Sequence, residues 1–126
     1  MYDVRLKNLI ELSGEMYDYY MVDRFSGQFV VKNNTSYIII FCRKEDRKSF
    51  MFAEHLNNLT AEIKELGNYK LAYVDEMLDQ DLHAAFDTRQ TPHVFLMDGE
   101  DGMVYSWDYF KDPTNFTQWV KDKEYK

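Results

Sequence analysis

The sequence predicts an α/β domain with a mixed central sheet, flanking helices, a C-terminal antiparallel hairpin and an extra N-terminal helix. Strand-like and helix-like segments alternate through the middle of the chain, which is typical of parallel strands joined by crossover helices. Residues 37–42 are apolar throughout, as expected for a central strand buried on both faces. The acidic, glycine-containing turn 98–102 separates the last two strands and is typical of a hairpin.

The first third of the chain predicts a helix, a strand and a second helix. Apolar residues in 4–12 have helical spacing, and Ser13-Gly14 ends that segment. Residues 16–21 are rich in β-forming aromatic side chains and predict a strand. Asp23 can then cap a short helix. The apolar side chains of that helix are Phe25, Phe29 and Val30.

Strands and helices alternate in the rest of the chain. After strand 37–42, apolar residues recur at spacings of four and three through a long helix that Gly67-Asn68 ends. Strand 69–75 and a short helix over 79–86 follow. Strand 103–107 comes after the acidic turn. A last helix is capped by Asp112, with Pro113 at its first helical position.

Pro92 stands directly before the apolar-rich run 93–97 near the centre of this order. Proline has no N–H, so within a sheet it is confined to an edge, a bulge or the first residue of a strand. A proline that opens a buried strand also invites a cis peptide bond. We therefore predict a cis bond between Thr91 and Pro92.

Length and composition restrict the chain to one globular domain. Its 126 residues suffice for a single core, and its 45% hydrophobic and 17% aromatic content is that of a folded protein. We predict one domain over 1–126, with a leading helix in 1–14 and the core in 15–123. The net charge of −7 disfavours nucleic acid and anionic membranes as partners.

Neither a membrane span nor a signal peptide is predicted. No apolar run approaches the roughly 20 residues that a spanning helix needs, so no membrane contact by this segment is expected. The first residues are mixed and polar. The protein is then either cytosolic or a mature luminal domain of a longer precursor.

The order of elements, with a Thr-Pro pair opening a strand, resembles thioredoxin-like domains over residues 15–123. Redox-active members begin the helix after the central strand with Cys-x-x-Cys, and the resemblance places those two positions on Asp46 and Ser49. Cys42 is the single cysteine of the chain, so a Cys-x-x-Cys site for redox chemistry or zinc is excluded. The resemblance therefore implies a redox-inactive member in which Cys42 is structural.

The same resemblance implies a ligand-binding groove between the start of the long helix and the proline strand. Its residues are Asp46, Arg47, Lys48, Ser49, Phe50, Thr91, Pro92 and His93. Three of these residues have a simpler interpretation: Asp46 and Ser49 suit helix initiation, and His93 suits ordinary packing. Arg47 and Lys48 oppose the helix dipole, so they are either a basic recognition spot or a solvated face.

The leading segment gives a narrower resemblance. Residues 5–13 (RLKNLIELS), 23–25 (DRF) and 37–41 (YIIIF) resemble the luminal domain of the oligosaccharyltransferase thioredoxin-like subunits, the tumour-suppressor candidate and magnesium-transporter family. That family transiently holds substrate polypeptide near Asn-x-Ser/Thr sites. Its typical members have a Cys-x-x-Cys and four following transmembrane helices. This chain has neither, so the resemblance implies an excised domain without the mixed-disulfide step.

Asn-x-Ser/Thr triplets suggest a luminal or extracellular context. The candidate glycosylation sites are Asn34, Asn58 and Asn115, of which Asn34 lies in a polar loop and should be the most accessible. No metal site or cofactor is predicted, because the three histidines lack ligand spacing and the acidic turn lacks the spacing of a calcium loop.

The sequence thus predicts a non-catalytic, chaperone-like domain that holds an extended polypeptide or partner protein, assisting glycosylation or folding. Main-chain pairing beside Pro92 would supply affinity, as in strand addition. We expect residence in the endoplasmic reticulum or secretory pathway, with the cytoplasm as the alternative. Two other hypotheses stay open: a structural or homodimerising domain of a disulfide-isomerase-like assembly, and a single-cysteine redox protein that uses Cys42.

Overall fold

A five-stranded mixed sheet organises the protein in a computed structural model that describes residues 4–12, 35–43, 45–75, 93–100, 103–107 and 116–124. The strands lie in the order β1-β3-β2-β4-β5. Their bounds are Ile10–Glu11 (β1), Ser36–Cys42 (β2), Tyr69–Asp75 (β3), His93–Met97 (β4) and Val104–Trp107 (β5). The described helices are α1, Arg47–Leu66, and α2, Phe116–Lys121, and a 3₁₀ turn spans Val4–Leu6.

The sheet is parallel on one side and antiparallel on the other. β1 and β2 both run parallel to β3, which lies between them, and Cys42 at the end of β2 stands opposite Asp75. β4 runs antiparallel to β2, and β5 antiparallel to β4. The hairpin is closed by the amide of Asp98, which donates to the carbonyl of Met103. The predicted mixed sheet and terminal hairpin are thus confirmed.

Both faces of the sheet are buried. Side chains of a strand alternate between faces, so β2 sends Ile38, Ile40 and Cys42 to one side and Ile39 and Phe41 to the other. We call the first side the α1 face, because buried residues of both α1 and α2 pack there. The second side, the opposite face, also holds Leu12, Ala72, Val74 and Met97. Burial on both faces explains the continuous apolar character of β2.

The long helix forms where its pattern predicts. One side of α1 is buried against the sheet and includes Phe52, Leu56 and Ile63, while Asp46 caps its start and Gly67 its end. A 20-residue helix with one apolar side is stable chiefly through that packing rather than through intrinsic propensity. This packing places the first turn of α1 just beyond the end of β2.

The prediction of a helix through residues 4–12 is wrong. Helical structure there is limited to the 3₁₀ turn, after which β1 pairs with β3 and the amide of Leu12 donates to the carbonyl of Tyr73. Asn57 of α1 holds the intervening chain, since its Oδ1 accepts from the amide of Asn8 at 2.7 Å. Pairing with the available edge of β3 outweighs a weak helical preference.

Several predicted elements lie outside the described residues. They are the strand 16–21, the helix that Asp23 would cap, the helix 79–86 and the Asp112 cap with Pro113. The Thr91–Pro92 bond also lies outside, so its cis geometry stays a prediction, as does the division at residue 14. In the part of the chain that the structure describes, no helix is long and apolar enough to cross a membrane.

Candidate functional site

Asp46 begins α1 as a cap. Its side chain accepts a hydrogen bond from the amide of Lys48 at 3.2 Å, and its carbonyl accepts from the amide of Phe50. Its own amide donates to the carbonyl of Arg43, which closes the turn between β2 and the helix. The carboxylate therefore satisfies an amide that the first helical turn leaves without a partner. The capping interpretation of Asp46 is confirmed.

Ser49 stabilises the same turn from its buried side. Its side chain is fully buried, and its Oγ accepts a hydrogen bond from the amide of Arg43 at 3.0 Å. The bond ties the exit of β2 to the first turn of α1, so the hydroxyl holds the loop between them in place. The two positions that the thioredoxin resemblance assigns to cysteines are thus a cap and a buried hydrogen-bond acceptor.

Arg47, Lys48 and Met51 form the exposed side of this turn. Both cations are exposed, and 57% of the Met51 surface is accessible, which is high for a large apolar side chain. Within the described residues neither Arg47 nor Lys48 makes an ion pair. Sequence reasoning missed Met51; its signal is the spacing of four from Arg47, which puts both on one side of the helix.

Phe50 lies in the core. It is only 4% exposed and packs on the α1 face. The guanidinium of Arg5 covers its ring at 4.1 Å from the centroid, and Arg5 also approaches Glu54 at 3.8 Å. Phe50 therefore fixes the leading segment to α1 and does not contribute to an open surface.

His93 reaches the same end of the sheet as the start of α1 but turns its side chain away. It stands opposite Phe41, one residue before β2 ends, and its ring stacks on Phe95 with centroids 4.3 Å apart. Phe95 packs on the opposite face, so the imidazole and α1 lie on different sides of the sheet. Its Nε2 lies 2.6 Å from Oγ of Ser106. Burial lowers the pKa of His93 below its ordinary value.

The structure thus brings together four of the predicted groove residues and separates others from them. Asp46, Arg47, Lys48 and Ser49 share the first turn of α1 and its cap. Phe50 faces the core and His93 faces away, while Thr91 and Pro92 lie outside the described residues. The groove itself stays a prediction, with the backbone at the start of β4 as its second wall.

Cys42 is fully buried at the end of β2. Its neighbour across the parallel pair is Asp75, which is also buried. A thiol acts as a nucleophile when it is accessible and its thiolate is stabilised. Burial therefore weighs against the hypothesis of a single-cysteine redox protein.

One candidate glycosylation site lies among the described residues. Asn58 is exposed on α1, but Thr60 of the same triplet is buried and donates its hydroxyl to the carbonyl of Leu56. Asn34 and Asn115 lie outside the described residues, so glycosylation stays a prediction. No group of three or more histidine, cysteine, aspartate or glutamate side chains that could hold a metal ion occurs in the described ranges.

Comparison with solved structures places this arrangement in a known fold. The chain is similar to chloroplastic thioredoxin z, with a TM-score of 0.72 and 15% identity over 93% of this chain and 95% of that one. The Trx4 domain of ERdj5 has a TM-score of 0.70 and 15% identity over 93% of this chain and 96% of that one. Human ERp44 in its zinc-bound form gives 0.70 and 17% over 93% of this chain and 30% of that one. The chain has a thioredoxin-like fold.

No protein-family model matches the sequence, and no curated protein matches it. The narrower resemblance to the oligosaccharyltransferase subunits therefore stays a prediction. Identities of 15–17% show the fold alone.

Proposed function

We propose that this chain is a non-catalytic thioredoxin-like binding domain that holds an extended segment of a partner polypeptide at the start of α1. The observation that carries the proposal is that Asp46 and Ser49 both form hydrogen bonds that hold the start of α1. Both lie at the helix start to which the thioredoxin resemblance assigns the two cysteines, and both are engaged in fixing that turn. With Cys42 as the single thiol, the chain lacks the pair that forms and resolves a mixed disulfide.

Accessible groups at the same turn supply the means of binding. Met51 offers an adaptable apolar contact, and Arg47 and Lys48 offer hydrogen-bond donors beside it. Pairing with backbone at the start of β4 would add main-chain hydrogen bonds, as in strand addition. Chloroplastic thioredoxin z, a fold neighbour, shows type-specific target recognition, which supports a recognition role for a domain of this fold.

We further propose that the domain acts in the secretory pathway, as an accessory to glycosylation or protein folding. The endoplasmic-reticulum-associated neighbours ERdj5 and ERp44 and the four Asn-x-Ser/Thr triplets support this compartment. The chloroplastic neighbour shows that the fold itself does not fix it. Release of glycans by a glycosidase after expression in a secreting eukaryotic host tests the assignment directly.

A peptide titration followed by amide NMR tests the binding role. Adding a pool of unstructured peptides of mixed composition should shift the amide resonances of residues 46–51. Met51→Gln should weaken binding, whereas Met103→Gln should leave it unchanged. Met103 is a matched control because it is also 57% exposed but lies beside the hairpin turn, at the other end of the sheet.

Two outcomes would contradict the proposal. Shifts confined to residues far from the first turn of α1 would place the binding surface elsewhere. A complete lack of peptide-dependent shifts, together with a mass that doubles with concentration, would favour the structural, homodimerising alternative.

A further inference from the structure

We propose that the first turn of α1 selects acidic polypeptides, and that the preferred segment is extended, with an acidic residue two positions from a large apolar one. The inference rests on the binding role proposed above and names the class of polypeptide that the surface takes. Arg47, Lys48 and Met51 form this surface, called here the basic–methionine patch.

The two cations of the patch stand where helix stability disfavours them. Arg47 and Lys48 are the first two residues of α1, next to the positive end of the helix dipole, and the first turn contains no acidic residue. Towards the negative end, where cations are preferred, Glu62 and Glu65 outnumber the one cation of the last turn, Lys64. The charges of α1 therefore run largely against its dipole, and stability of the helix does not explain the two cations.

Both cations are available to an external carboxylate. They are exposed, and neither makes an ion pair within the described residues. The chain carries a net charge of −7, so this small basic surface contrasts with the molecule around it. An acidic segment is attracted to these two cations, whereas the net negative charge of the chain disfavours its approach on average.

The spacing between Arg47 and Met51 fixes the pattern of the peptide. Residues four apart on a helix have Cβ atoms about 5–6 Å apart on one side. In an extended chain, alternate residues face one side and are about 6.6 Å apart, twice the rise per residue. An acidic residue over Arg47 and Lys48 thus places the next residue of the same side over Met51.

Capped heptapeptides test the selection. The probes are Gly-Gly-Glu-Gly-Leu-Gly-Gly, the same peptide with Gln or Lys in place of Glu, and Gly-Gly-Glu-Leu-Gly-Gly-Gly. The last peptide should bind more weakly than the first, because its Leu faces the other side of the extended chain, and equal affinity would overturn the proposed spacing. Amide NMR titrations should give the tightest binding for a Glu peptide, about two- to fivefold weaker binding for Gln, and weaker still for Lys, as exposed ion pairs of this kind provide. The difference should shrink as salt is raised, because exposed charges are screened.

Charge reversal separates recognition from folding. The double variant Arg47→Glu, Lys48→Glu should prefer the Lys peptide, and it should fold at least as stably as the wild type, because acidic residues suit a first turn. Lys64→Glu is the control. It changes a charge on the same helix about 25 Å from the first turn, so the peptides should keep the same ranking of affinity as with the wild type. A thermal melt of each variant verifies folding.

The possible failures are distinguishable. Equal affinity of the Glu, Gln and Lys peptides, with shifts still at the first turn of α1, would overturn the acidic preference and leave the binding role intact. An unchanged order in the double variant would do the same. A lack of shifts with every peptide would overturn both proposals.

Discussion

Replacing Asp46 and Ser49 together by cysteine tests whether the start of α1 occupies the position of a thioredoxin-like active site. The two residues are the cap and the third helical residue, and residues at this spacing have Cα atoms roughly 5–6 Å apart. That separation is within the range a disulfide tolerates. We expect the double variant, made in a Cys42→Ser background, to form a reversible internal disulfide.

The contacts of Asp46 and Ser49 also allow the stability of the reduced double variant to be predicted. Asp46→Cys removes a helix cap, at a cost of about 0.5–2 kcal/mol. Ser49→Cys weakens the hydrogen bond from the amide of Arg43, at a cost of about 0.5–1.5 kcal/mol. The reduced double variant should therefore be less stable than its background by roughly 1–3.5 kcal/mol, if the two neighbouring effects add. Closing the disulfide should recover part of that loss.

The assay combines thiol counting with equilibration in glutathione buffers. The disulfide should be relatively oxidising, because the helix N-terminus and the adjacent Arg47 and Lys48 stabilise the thiolate that its reduction releases. The control pair Asp46→Cys, Lys48→Cys should stay reduced, because residues two apart on a helix point in different directions. If the Asp46–Ser49 pair also stays reduced, or links only between molecules, the assignment of these positions is wrong.

Four further predictions concern the fold and its modification. Asn57→Ala should lower the free energy of unfolding by about 1–3 kcal/mol and speed hydrogen exchange of the Asn8 amide, which loses its acceptor; a melt and NMR exchange measure both. Lys123→Gly should raise the free energy of unfolding by at most about 1 kcal/mol in denaturant unfolding, because Lys123 has φ 51° after α2, where glycine is unstrained, while loss of its exposed ion pair with Glu100 offsets part of that gain. The pKa of His93 is lower in the folded protein than in the unfolded chain, so its contribution to stability is full at neutral pH and is lost as pH falls from about 6.5 towards the folded pKa. The free energy of unfolding, measured in denaturant, should therefore fall more steeply over that range for the wild type than for His93→Gln. Asn34→Gln, made in an Asn33→Gln background because the triplets of Asn33 and Asn34 overlap, should remove a glycosidase-sensitive mass from protein secreted by a eukaryotic host, and an unchanged mass would count against a glycan there.

Local chemistry made much of the fold and part of the site predictable. The apolar run of β2 and the repeating apolar side of α1 each indicate an element without reference to the rest of the chain. The hairpin follows from the turn before β5 in the same way. Asp46 is predictable as a cap because a short carboxylate suits the first free amides of a helix wherever that helix lies.

The leading segment was decided by a distant part of the chain. Its leucines have spacings that suit a helix, yet β1 gains main-chain hydrogen bonds from the edge of β3, about sixty residues later. Asn57 and the ring of Phe50 hold it further, through Asn8 and Arg5. Propensity differences of a few tenths of a kcal/mol per residue cannot compete with such pairing.

The direction in which site residues face also required the tertiary structure. In β4, His93 and Phe95 alternate with Val94 and Leu96, but both faces of the sheet are buried, so alternation does not reveal which set faces α1. Ser49 became a buried acceptor only because the exit of β2 passes over it. The sequence by itself determined that Asp46, Arg47, Lys48 and Ser49 lie together at the start of α1. Which of them turn outward, as Arg47, Lys48 and Met51 do, was decided by packing against the sheet.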